Sequence, residues 1–368
     1  MSTTPEETTT YGIYGRPAWQ LAASSVEERR STFLDLNWEG GQIGFEIDRY
    51  PLLGGLKVAV PAGYGRTLGL APICAAAQSD PSWVPLLLEQ LAKNHVDVAF
   101  IPRLWQSDAK ELSASVPSSC GWLSEVHSGE VVGRQSLGGD LDETLGALSK
   151  NERKSVRRRF RRLEDSDELE MRDHFDPKEI LATFDLFEEM HTREWKERGR
   201  QGHYRDWPDS TDFVKVLLEK AAHDGEAVIT GIWNQDVPIA LQLGFICDGL
   251  ASAVQLAHSA DHPQYDALSP TILAYFRLVD IATSRGVKTI ELGLGSYDYK
   301  HRLGAIDVPL SNLFYVRQGL LPRVRTSVAR KVHRILHLGY YRGWFNRGSA
   351  KLGIAPGPLL RSWRRLPQ

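Results

Sequence analysis

The chain has 368 residues, 42% of them hydrophobic and 24% charged, which are the proportions of a globular protein of two or three domains. It contains no apolar run of about 18 residues, and its N-terminus, MSTTPEETTT, is polar and acidic. A membrane-spanning helix is thereby excluded, a secretory signal is not expected, and the cytoplasm is the expected compartment. The net charge of −2 conceals strong segregation. Val308 to Gln368 holds twelve Lys/Arg and no acid, and Lys150 to Arg162 holds eight Lys/Arg against Glu152 alone, so the remaining residues carry −21. Two basic elements on an acidic body predict a polyanionic partner: cofactor phosphates, RNA, an acidic carrier protein or anionic lipid. The alternative is that a basic stretch salt-bridges the acidic body. Cys74, Cys120 and Cys247 lie too far apart to form a disulfide framework, a zinc ribbon or a redox pair.

In chain order, residues 1–10 read as a disordered leader and Ser25–Leu36 as a first helix. Gly44–Ile47 and Leu56–Val60 read as short strands broken by Pro51 and Gly54-Gly55. Trp83–Lys93 is helical by the spacing of Val84, Leu87, Leu88 and Leu91, and Val96–Ile101 is a buried strand ending at Pro102. Ser136–Gly138 opens a strand, and Asp140 caps a helix over Leu141–Leu148. A long basic helix covers Ser149–Glu164, followed by helices at Pro177–Arg198 and Thr211–His223. Strands at Glu226–Trp233, Pro238–Cys247 and Leu250–Ala257 are joined by turns at Asn234–Asp236 and Asp248-Gly249, which suits a hairpin meander. A helix from Pro270 to about Arg285 is closed by Gly286, then come a strand at Thr289–Leu292 and a last strand at Leu310–Arg317. The order predicts a mixed sheet flanked by helices, an α/β (α+β) fold.

Two segments attract chemistry. Ser269-Pro270-Thr271-Ile272 opens a helix with serine at the cap and proline in the first turn, where backbone N–H groups and the helix dipole favour phosphate. The stretch 293–304, GLGSYDYKHRLG, gathers Tyr297, Asp298, Tyr299, Lys300, His301 and Arg302 at a strand end, where α/β proteins place ligands. Lys300 and Arg302 suit phosphate or a developing oxyanion, and Asp298 suits a base. His191 and Trp195 share one helix face, either as a packed core pair or as a wall of a substrate groove. Gly63, Gly65 and Gly69 lack dinucleotide-loop spacing, and Pro72 breaks the helix such a loop requires. His258, Asp261 and His262 have no second cluster at metal-ligand spacing, so no metal is expected.

In order, these segments are LSKNERKSVRRRFRRLE (148–164), His191-x-x-x-Trp195-x-x-x-Gly199, IWNQDVPIALQLGF (232–245) and 265–304 with its Ser-Pro and Tyr-Lys-x-Arg. Together they resemble the GNAT-superfamily acyltransferases grouped with the CelD, cellulose-biosynthesis-associated acetyltransferases. They are also similar to the FemABX aminoacyl-tRNA-dependent peptidyltransferases. The resemblance implies tandem GNAT-like halves, each a mixed, mostly antiparallel sheet flanked by helices. Residues 11–145 would be an N-terminal degenerate half, 146–319 the acyltransferase domain, and 320–368 a basic amphipathic tail. Ser269 and Pro270 match the family's Ser-Pro, with Thr271 where glycine is common. Tyr299-Lys300 matches its Tyr/Phe-Lys, whose lysine faces the donor; Glu291 and Gly293 match the end of its central strand, and Arg153 and Arg157 its basic helix.

The implied function is an N-acyltransferase moving an acyl group from a thioester co-substrate such as acyl-CoA to an amine. The alternatives are aminoacyl-tRNA-dependent amide formation and an inactive GNAT-fold binding module. Lys300 and Arg302 would hold donor phosphate or the oxyanion, and Asp298 or His301 would take the amine proton. Ser269–Ile272 would meet the donor phosphates. His191, Trp195, Tyr297, Tyr299 and Glu291 would contact the acceptor, a small molecule or peptide. The 150–162 helix and the tail would meet tRNA or an acidic carrier, with peripheral membrane contact as a further role. In the tail, Val324, Val328, Val332, Ile335 and Leu336 form the stripe expected to pack inward.

Overall fold

An antiparallel meander, a helical crossover and a parallel return strand occur twice in the computed structural model. It describes residues 10–27, 32–50, 54–64, 69–199, 202–204, 209–259, 268–336, 339–340, 343–344 and 348–352. The leader at 1–9 and most of the 259–269 loop lie outside the described residues. The chain divides into two compact units built from interleaved segments: unit 1 from 1–13, 131–198 and 214–308, unit 2 from 14–130, 199–213 and 309–368. The sequence reading divides it instead into consecutive stretches at 145 and 319.

In unit 2, α1 (Pro17–Glu27) precedes β1 (Thr32–Trp38), β2 (Gly41–Tyr50) and β3 (Leu56–Pro61), an antiparallel meander. The helices α2 (Ala75–Ser79) and α3 (Trp83–Lys93) cross over to β4 (Val98–Leu104), which runs parallel to β3 through Val58↔Val98 and Ala59↔Ala99. The expected helix over Ser25–Leu36 gives way to strand from Thr32, because Leu34, Leu36 and Trp38 alternate with Phe33, Asp35 and Asn37, a period of two. Pro102 does not stop β4. It lies where the register with the last strand, β11 (Ile306–Arg317), is irregular between Ser311 and Leu313, so its missing N–H breaks no regular ladder. After α4 (Gln106–Ala114), the long β5 (Trp122–Ser136) starts in unit 2 and ends in unit 1. Gly129 admits the close approach of the Leu310 carbonyl, which an added Cβ would meet at 3.0 Å. The unit 2 core stacks Phe100 on Phe314, with Val58, Val60, Val98 and Val316 around them.

In unit 1, Asp140 caps α5 (Leu141–Gly146) by accepting from the Glu143 N–H at 2.8 Å. Ser149 caps α6 (Lys150–Glu164), its hydroxyl accepting from Glu152 N–H at 3.3 Å and donating to the Glu152 carboxylate. β6 (Leu169–His174), absent from the sequence reading, is a polar edge strand whose charges discourage further pairing. The helices α7 (Pro177–Glu197) and α8 (Ser210–His223, in unit 1 from Val214 on) follow, then the antiparallel meander β7 (Ala227–Asn234), β8 (Val237–Cys247) and β9 (Leu250–His258). The helix α9 (Pro270–Ser284) crosses over to β10 (Thr289–Leu294), parallel to β9, and the short α10 (Asp298–Arg302) leads into β11. The core of unit 1 lies under α9, where Phe276, Leu278, Val279 and Ala282 pack on Val228, Ala251 and Ile290.

The tail begins with α11 (Leu320–Leu336) in unit 2. Of the stripe expected to pack inward, Val332 meets the core, while Val324, Val328 and Ile335 are exposed. Ala329 and Thr326 take the buried positions instead. No helix of the described residues is long and apolar enough to cross a membrane.

Candidate active site

The site begins where two parallel strands stop pairing. β9 and β10 are in register from Leu250↔Thr289 to Ser252↔Glu291 and no further. Beyond Glu291, β10 is drawn off by Gly293 and Gly295, both with positive φ, and Leu294 rejoins β5 at Val132 after an irregularity. β9 continues with β8 as far as His258↔Ala240. The edge of β9 from Ala253 to Leu256 thus faces a cleft rather than a strand.

A cavity of about 220 Å³ fills that cleft. Besides the β9 edge, its lining includes Gln242, Thr271, Ile272, Tyr275, Leu292 and Tyr299. A second cavity of about 210 Å³ is lined by Glu152, Ser155 and Arg159 of α6 and by Phe276 and Arg302. Ile272, Tyr299 and Leu303 border both cavities and form the partition between them. Burial pushes the Tyr299 phenol up from its ordinary value, with the neighbouring Tyr297 adding to the shift. The two rings stack at 5.9 Å. The Tyr275 hydroxyl is committed to Gln135 in the core. Gln242 donates to the Gln255 and Leu243 carbonyls at 2.9 Å, fixing the β9 edge from the side. A lone amide in the apolar run VPIALQLGFIC was the sequence signal for it.

The start of α9 departs from the expected serine cap. Ser269 adopts φ 46, ψ 65 and makes no side-chain cap bond. A left-handed residue before proline is strained, a feature that concentrates at functional sites. Its carbonyl accepts from Ile272 N–H at 2.9 Å, and Pro270 has no N–H. Of the first three helical positions, Thr271 alone has an N–H without a partner among the described residues.

The 293–304 stretch is organised by Lys300. Its side chain is 1% exposed and runs inward over Gly133, whose added Cβ would meet Lys300 Cδ at 3.0 Å. Nζ donates to the carbonyls of Gly293, Leu294 and Gly295 at 2.7, 2.8 and 3.0 Å. All three ammonium protons are thus committed to the bend that parts β10 from β9, and none is presented to a donor or an oxyanion. Burial pushes the ammonium pKa down to about 8, against the charges of Glu291 and Asp307. Glu291 is itself buried, in register with Arg134 on one side and Ser252 on the other.

The other expected residues are dispersed. Asp298, His301 and Arg302 are exposed. His301 Nε2 is 3.1 Å from Asp307, whose carboxyl the Ser296 hydroxyl and His301 hold below the usual range. His191 is buried in a stack on α7, 6.0 Å from Phe187 and 5.7 Å from Trp195, and neither His191 nor Trp195 is among the described lining residues of the cavities. Behind them Glu194 pairs with His258 at 3.0 Å. No group of three potential metal ligands occurs among the described residues.

No curated protein matches the chain. Among solved structures, FemX is 11% identical over 89% of this chain and 99% of its own, with a TM-score of 0.57. L-PGS from Bacillus licheniformis is 12% identical over 87% and 98%, with a TM-score of 0.51. A conserved protein of unknown function from Bacteroides thetaiotaomicron is 10% identical over 86% and 93%, also at 0.51. At these identities the likeness is one of fold. The family model described as "Acetyltransferase (GNAT) domain" matches residues 150–301, which contain α6, the β7–β9 meander, α9, β10 and the cleft. The chain has the GNAT fold, and its residues 150–301 match the acetyltransferase (GNAT) domain family.

Proposed function

We propose that the chain is an N-acyltransferase that moves an acyl group from a thioester donor such as acyl-CoA to an amine, akin to the CelD-like enzymes. The observation that carries this reading is the parting of β9 and β10 after Ser252 and Glu291, with the first turn of α9 at the mouth of the cleft. The exposed β9 edge suits an extended donor arm hydrogen-bonded like a strand. The Thr271 N–H and the dipole of α9 suit its phosphates.

In the transfer, the amine nitrogen attacks the thioester carbonyl. A C–N bond forms, the C–S bond breaks, the amine loses a proton and the leaving thiolate gains one. The chain supplies positioning and proton management rather than a covalent intermediate. Leu292, Ile272 and Leu303 give the cleft an apolar wall. Tyr299 borders both cavities, and its phenol, protonated at neutral pH as tyrosines ordinarily are, delivers the thiolate's proton. Asp298 or His301 takes the amine proton at the exposed side. Arg302 and Arg159 meet negative charge on the donor or acceptor in the second cavity. Lys300 acts through the bend it holds, not on the oxyanion.

A second reading, transfer from aminoacyl-tRNA, is favoured by the outward face of α6. There Lys154, Arg157, Arg158 and Arg161 are exposed on the helix that lines the second cavity, a surface suited to RNA phosphates. Thiol release from acetyl-CoA with a panel of amines, run beside amide formation from aminoacyl-tRNA, tests both. Turnover with the thioester alone supports the first reading and turnover with the RNA alone the second. Donor binding without turnover leaves a GNAT-fold binding module.

A further inference from the structure

Unit 2 carries a surface that acyl transfer does not use. The inner face of α11 packs on unit 2: Ala329 is buried, Val332 packs on the Phe314 cluster, and the Arg330 guanidinium lies 4.3 Å over the Phe314 ring and 2.9 Å from Glu125. The outer face does not. Leu321, Val324, Val328 and Ile335 are 57%, 50%, 47% and 70% exposed. They stand at i, i+3, i+7 and i+14, one stripe along the helix.

Beside the stripe, a groove of about 470 Å³ separates α11 from Leu123, Glu125 and Val316. The helix contributes Arg323, Thr326, Ser327, Arg330 and Lys331 to it. Glu125 is the acid in the lining, and it is engaged by Arg330 and His127. Thr326 is 4% exposed, and its Oγ1 has no hydrogen-bond partner among the described residues. Buried hydroxyls are ordinarily bonded. One left over in a groove lined by three cations lacks an acceptor, which a phosphate oxygen would supply.

We propose that α11 lies in the interface of an anionic bilayer, with its apolar stripe at the acyl boundary and a lipid phosphate in the Thr326 groove. The two features occur side by side on one helix, and a bilayer answers both at one depth. An RNA backbone would match the cations and leave four exposed aliphatic side chains in water. The chain from Val308 to its end carries no acid to oppose an anionic surface. This inference does not depend on the acyl-transfer reading.

The test is co-sedimentation of the full chain with vesicles of phosphatidylcholine alone and of phosphatidylcholine with phosphatidylglycerol in equal parts. Binding is expected to the second only and to fall with salt. Arg323→Gln with Lys331→Gln should weaken it about 25-fold, at about fivefold per charge. Leu321→Ser with Val324→Ser and Val328→Ser should abolish it at every salt concentration. Thr326→Val should weaken it and Thr326→Ser restore it. All but Thr326 are exposed, and unchanged melting temperatures confirm that each variant folds. Equal binding to neutral vesicles overturns the proposal, as does full competition by inorganic phosphate, which would make the groove a soluble-anion site. Binding to a transfer-RNA mixture that survives the serine substitutions, without vesicle binding, assigns the surface to RNA and overturns it as well.

Discussion

Replacing Lys300 with methionine keeps most of the aliphatic stem over Gly133 and removes the ammonium. The carbonyls of Gly293, Leu294 and Gly295 then lose their shared donor. Hydrogen bonds to a charged donor contribute about 1.5–3 kcal/mol each. Against their sum stands the cost of burying the ammonium, about 3 kcal/mol for a pKa lowered from 10.5 to about 8. The difference leaves a net loss of about 1.5–6 kcal/mol. Urea unfolding followed by fluorescence should show it as a midpoint shift of about 1–3 M. The pH dependence carries a second signature. Between about 8 and 10.5 the unfolded lysine holds its proton while the folded one releases it, so wild-type stability gains on that of Lys300→Met as pH rises through that window. If the midpoint is unchanged and turnover alone falls about 10²-fold, Lys300 touches the reacting atoms. The bend-holding role assigned to it would then be refuted.

Three further outcomes follow from the same geometry. Tyr299→Phe should lower kcat about 10²-fold with little change in donor KM, the signature of a lost proton donor, and steady-state kinetics at saturating donor reads it. Thr271→Glu places a carboxylate at the first turn of α9, so calorimetry should show weakened donor affinity with nearly unchanged thermal stability, since acids suit helix N-termini. Gly133→Ala drives a Cβ to 3.0 Å from Lys300 Cδ and should cost about 1–3 kcal/mol in the same urea experiment, with the loss abolished in the Lys300→Ala background.

The sequence was most legible where a single period ran uninterrupted. Trp83–Lys93 agrees with the expected helix end to end, and the β7–β9 meander follows its two turn signals. It was least legible where partners remote in sequence decide the conformation. Most of β5 carries no element in the sequence, because its middle is exposed and its glycines serve neighbours more than 150 residues away, Leu310 at Gly129 and Lys300 at Gly133. Pro102 looks like a strand end until β11 supplies the irregularity that accommodates it. The repetition of meander, crossover and parallel strand leaves no trace at the level of residue identity, since it is a pattern of pairing. At the site, composition singles out the 293–304 stretch without showing how its side chains are engaged. Lys300 has the chemistry of an oxyanion ligand, but only the position of three backbone carbonyls shows that its protons are committed. Tyr275 and Gln242 line the cleft through contacts that helix and strand periodicity cannot express.

The central claim is that the acyl donor enters between β9 and β10. Hydrogen-exchange mass spectrometry of the full chain with and without acetyl-CoA measures this directly. The account predicts slowed exchange at 253–256 and 271–275, where the bare edge of β9 and the first turn of α9 gain acceptors. Slowed exchange confined to other segments, in a sample that still releases thiol from acetyl-CoA, would contradict it.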